Sequence, residues 1–151
     1  MKFGHSLALL FAILPFGAVA HDYKVGDLSV AHPIAAETPQ SATATVGAAY
    51  LTITNNGDAE DRLVGVSAAF PRVTIHKTTV QNEIATMQSQ DSVAIPPGET
   101  VTFEPGGLHV MFMGLNGDPF TIGEEISATL TFEKAGEIDI IFVVEAIDHN
   151  H

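Results

Sequence analysis

The chain has 151 residues, no cysteine, seven histidines and a formal net charge of −12 from 18 acidic and 6 basic residues. So acidic a surface is unsuited to nucleic acid or to anionic lipid headgroups. Without a thiolate there is no blue-copper centre, zinc finger, iron–sulfur cluster or thiol redox site.

The N-terminus reads as a secretory signal. Lys2 supplies a positive charge, residues 7–16 form a short apolar run, and Ala18-Val19-Ala20 offers small residues for cleavage. The run is shorter than the ~20 apolar residues of a membrane span. Cleavage after Ala20 would leave 131 residues, with five of the six basic and all 18 acidic residues, and a charge of −13. That length suits one domain with its own core, held without disulfides.

From there the sequence predicts short strands separated by turns. Residues 27–36 are the first candidate. Residues 43–55 alternate and are rich in β-branched side chains, and Asn55-Asn56-Gly57-Asp58 turns the chain. Strands are expected over 62–68, 72–80 and 83–88, with Gln81-Asn82 as a hairpin tip. Residues 91–95 end at Pro96-Pro97-Gly98, and 100–103 end at Pro105-Gly106-Gly107. Residues 108–113 are dense and apolar, and Asn116-Gly117-Asp118-Pro119 turns again. Residues 125–132 and 137–145 close the domain through Lys134-Ala135-Gly136. Residues 146–151 form a polar, histidine-containing tail. No segment carries sustained helical periodicity, so the fold class is all-β, an antiparallel sandwich or barrel formed by a single domain over 21–145.

The chemistry lies in the methionines and histidines. After the initiator the only methionines are Met87, Met111 and Met113. Residues two apart on a strand share a face, so His109 and Met111 project together and Met113 can join them. His76 and Met87 fall on two neighbouring strand candidates that a hairpin would bring together. Taken singly, a strand methionine is core filler and a histidine on an apolar face is simply hydrogen-bonded. As a set, two imidazoles and two thioethers favour Cu(I) over zinc, calcium or magnesium.

The spacing His76-x10-Met87-x21-His109-x-Met111 resembles the signature of the PCu(A)C periplasmic copper chaperone family. Residues 47–55 (GAAYLTITN), 61–66 (DRLVGV), 105–115 (PGGLHVMFMGL) and 128–132 (ATLTF) are similar to that family too, and the likeness runs from about 26 to 145. The resemblance implies a cupredoxin-like Greek-key β-sandwich with Cu(I) near its surface, held by His76, Met87, His109 and Met111. It also implies delivery of copper to the CuA site of cytochrome c oxidase subunit II or another cuproprotein acceptor, alongside a Sco-type thiol protein. Two departures stand out. Lys77 follows His76 where many members place methionine. The stretch His32-Pro33-Ile34-Ala35-Ala36 lacks the aromatic and arginine of the family's His-Pro-Trp-Ala-Arg, which bears on partner contacts.

The expected protein is therefore a periplasmic carrier and not an enzyme, with no catalytic triad or carboxylate pair in view. A second reading is a Cu(II)-binding or buffering protein that uses His21, exposed by cleavage, together with His149 and His151. A third is a copper monooxygenase built on His21 and a second histidine. Protons compete for imidazole nitrogen, so Cu(I) affinity should fall below about pH 6.

Overall fold

The computed structural model describes residues 22–41 and 43–147. Among them are eleven strands and no helix: β1 (Tyr23–Val25), β2 (Leu28–Ala36), β3 (Val46–Asn55), β4 (Asp61–Ala68), β5 (Arg72–Gln81), β6 (Ile84–Gln90), β7 (Val93–Ile95), β8 (Thr100–Thr102), β9 (Leu108–Met113), β10 (Glu125–Phe132) and β11 (Gly136–Glu145). The expected strands are all present, with ends shifted by up to three residues. The addition is β1, which pairs with β2 through a turn at Gly26, whose φ is +55°. A three-residue strand shows no period of its own, so only its partner reveals it.

The strands run in the order β6-β5-β9-β3-β2-β11-β10-β4-β7, with β1 added to β2 and β8 to β3. The sheet folds over so that β4 lies against β5 and β7 against β3, giving the sandwich. All pairings between strands are antiparallel except β2 with β11, which is parallel. That exception joins the two halves of the sandwich. It follows a bulge in β2 between Ala31 and Ile34, where His32 takes a positive φ of 51°.

One core fills the interior. Val110 and Phe112 of β9, Leu51 and Ile53 of β3, and Leu130, Ile140 and Phe142 from the other half are all fully buried. Phe112 meets Phe142 across the sandwich, ring centroids 6.0 Å apart at 83°, and Phe70 and Phe120 pack edge-on to Phe112. Gly47 lies under Phe120, where a Cβ would collide with the ring. Two polar side chains buried in the core are satisfied. Asn55 Nδ2 donates to the carbonyls of Ala59 and Ile95, and Asp61 accepts from the backbone of Arg62, Lys134 and Ala135.

This core fixes the orientation of β9. With Val110 and Phe112 inward, His109, Met111 and Met113 must face outward. A slip of one residue would reverse every side chain, turning an imidazole and two thioethers into the core while exposing a phenylalanine.

Candidate metal centre

The four residues singled out by spacing fall on one outer face of three adjacent strands. β5 is the middle strand, with β6 on one side and β9 on the other. His76 of β5 lies directly opposite His109 of β9, and their ring centroids are 5.9 Å apart. Met111 lies opposite Thr74 and Met87 opposite Thr78, the residues two before and two after His76. Directly opposed Cβ atoms are about 5 Å apart and diagonal ones about 7–8 Å, within reach of long side chains. His76 therefore has one imidazole straight across and one thioether on each diagonal. Met113 shares the face one step further along, opposite Arg72 and Val46. Lys77, by strand parity, is on the other face of β5.

The four side chains differ in exposure. His109 is buried, His76 and Met111 are half-buried, and Met87 on the edge strand is 51% exposed.

Hydrogen bonding sorts the ring nitrogens. His109 Nδ1 donates to the Gly107 carbonyl at 3.1 Å, a carbonyl that also accepts from Thr78 N–H at 3.0 Å. This fixes the tautomer and leaves the lone pair on Nε2. His76 Nε2 lies 3.0 Å from Thr74 Oγ1. Its Nδ1 is buried and has no hydrogen-bond partner among the described residues. Such an orphan is costly unless something fills it. In the tautomer with Nε2–H donating to Thr74, the lone pair sits on that unpartnered Nδ1.

Electrostatics act in the same direction. The His76 pKa is lowered from its ordinary value, first by burial and then by the neighbouring His109 ring and Arg72. A neutral ring keeps its lone pair free. No cluster of three or more histidine, aspartate or glutamate side chains suited to a metal exists among the described residues. The donors gathered here are two imidazoles and thioethers, a set for a soft cation of low charge and not for magnesium or calcium.

Thr74 and Gly107 orient the two rings. Strand parity alone places Thr74 on the face of His76, two residues away. The sequence marks Gly107 only as a turn residue, and its role for His109 depends on the folded turn. His32 is exposed at the β2 bulge, and Ile34 pairs with Tyr50 two strands away from β9. His21, His149 and His151 lie outside the described residues, as does the expected signal segment.

The chain is thus a β-sandwich domain that gathers two opposed imidazoles and flanking thioethers on one face. The chain matches the LpqE-like lipoprotein family over residues 28–144. It is 39% identical over 87 residues to Lxx21020 of Leifsonia xyli subsp. xyli, covering 56% of this chain and 52% of that one. It thus spans about half the length of that curated relative. Among solved structures it is similar to the apo PCuAC domain of PmoF1, at 31% identity and a TM-score of 0.70, covering 84% of this chain and 100% of that one. It is also similar to the copper-bound PCuAC domain of PmoF2, at 33% identity and a TM-score of 0.67, covering 84% and 99%. The CuI-DR1885 structure from Deinococcus radiodurans matches at 25% identity and a TM-score of 0.56, covering 86% and 83%. The chain therefore belongs to the LpqE-like family and shares the PCuAC domain fold.

Proposed function

We propose that this protein is a copper carrier that binds one Cu(I) through His76, Met87, His109 and Met111, and that it works in the periplasm after export. The observation that carries this reading is the juxtaposition of an unpartnered His76 Nδ1, a His109 ring with Nε2 free, and thioethers on both diagonals. Its likeness to a copper-bound PCuAC domain and to CuI-DR1885 supports copper as the cargo. Neutral thioethers leave the bound site only the single charge of Cu(I) and hold the metal without a thiolate, which suits a metal that must later leave. Met87 on the exposed edge strand is the natural point of exchange, since solvent and partner reach it first.

The role is delivery and not catalysis, and the acceptor is the CuA domain of cytochrome c oxidase subunit II or another cuproprotein, with a Sco-type thiol protein as a further partner. The test is Cu(I) stoichiometry and competition against a chelator of known affinity, on protein lacking residues 1–20. One Cu(I) per chain is expected, and Met87→Ala or His109→Ala should weaken it by orders of magnitude. An unchanged affinity in His76→Ala/Met111→Ala would overturn the assignment.

A further inference from the structure

The 18 carboxylates of this chain are unevenly placed. Strands β3, β5, β6, β8 and β9 contain no aspartate or glutamate on either face. Strands β4, β10 and β11, in the other half of the sandwich, carry Asp61, Glu125, Glu137, Asp139 and Glu145. The strands that present the imidazoles and thioethers thus form a carboxylate-free window in an acidic molecule, with the carboxylates of that half confined to connecting segments at Glu83, Asp91, Glu99 and Glu104.

The same window is apolar. Val46 is 50% exposed, Val80 63% and Met87 51%, and the cross-strand registers put all three on the face of His76. Ile84, 65% exposed, flanks the tip of the β5–β6 hairpin. Large side chains so exposed on one continuous surface mark an interaction site. The charge on this face comes from Arg72, which stands opposite Met113 and makes no ion pair among the described residues. Methionine and arginine with carboxylates excluded is the composition of an interface centre.

We propose that the outer face of β6-β5-β9-β3 is the docking surface for an acidic protein that receives the metal, and that Arg72 orients it by meeting a carboxylate of that partner. This inference rests on the copper reading of the site. At a Debye length of about 8 Å an approaching protein feels the local surface and not the distant charge. An acidic partner is repelled by every face that bears carboxylates and is admitted here. A second copy of this chain fits less well, because its own window has no carboxylate to receive Arg72. The window is small: four strands about 4.8 Å apart and about 20 Å long cover roughly 400 Å². That is the size of a brief encounter, which metal handover requires.

The experiment is stopped-flow transfer of Cu(I) from the loaded chain lacking residues 1–20 to the apo form of an acidic, soluble CuA domain of cytochrome oxidase subunit II. Chelator competition and circular dichroism accompany each variant. Arg72→Glu and Val46→Glu should each slow the second-order rate about tenfold or more, because a like charge set in the contact acts on association. Glu137→Lys, in the other half of the sandwich, should leave the rate within about twofold, and Val46→Glu should still bind one Cu(I). If wild type binds Cu(I) but Arg72→Glu and Val46→Glu transfer it at the wild-type rate, the docking surface is refuted while the copper reading stands. If wild type binds no Cu(I), the copper reading fails and this inference with it. A self-associated chain in sedimentation that Val46→Glu dissociates would put a second copy on the window and overturn the proposal.

Discussion

His76 is the residue on which the site turns. Its surroundings favour the neutral ring, with one nitrogen beside Thr74 and the other unpartnered. Its pKa is lowered by burial, His109 and Arg72, so in the window between that lowered value and the unfolded value of about 6.5 the unfolded chain binds more protons than the folded one. Stability of the metal-free protein therefore rises with pH across that window. The contribution is complete above about pH 6.5 and is lost as pH falls through the lowered value. Urea midpoints measured from pH 7.5 downward should show this slope, and His76→Gln, which cannot titrate, should reduce it. A slope unchanged by the substitution would place the effect on another group.

The β5–β6 hairpin is the element that carries the exposed thioether outward. Its turn is Asn82–Glu83, with φ of 51° and 64°, one residue beyond the Gln81-Asn82 tip expected from sequence. Two successive positive φ values describe the turn that favours Asn-Gly, and glutamate pays a steric penalty there that glycine does not. Glu83→Gly should therefore stabilise the protein by about 0.5–1 kcal/mol, read as a higher urea midpoint at constant slope. Cu(I) affinity should be unchanged, since the turn lies beyond Met87 and away from the face. The shifted tip has a physical reason: Gln and Asn are both common at turns, and only the cross-strand pairing of Gln81 with Ile84 decides which two residues bridge.

In the whole molecule the interior of the sandwich holds the site in register from behind. Phe112 lies between His109 and Met113 in sequence, faces inward and contacts Phe142 of the other half. Phe112→Ala should cost about 3–5 kcal/mol by opening a cavity in a packed core. It should also weaken Cu(I) binding without removing a ligand, because β9 would lose the anchor that turns His109 and Met111 outward. Denaturation and chelator competition on the same sample test the two effects together. The sequence by itself determined the strand succession, the all-β class and the family resemblance, because alternation and turn residues are local signals and the intervals between ligands can be counted. Strand parity also determined that His109 and Met111 project together. Only the tertiary structure decided that His76 stands opposite His109 and that β2 joins β11 in parallel. It also decided that the turn at Gly107 orients the His109 ring. Those pairings join segments 30 residues or more apart, or depend on one folded turn, and nothing in a local pattern specifies which distant strand becomes the neighbour.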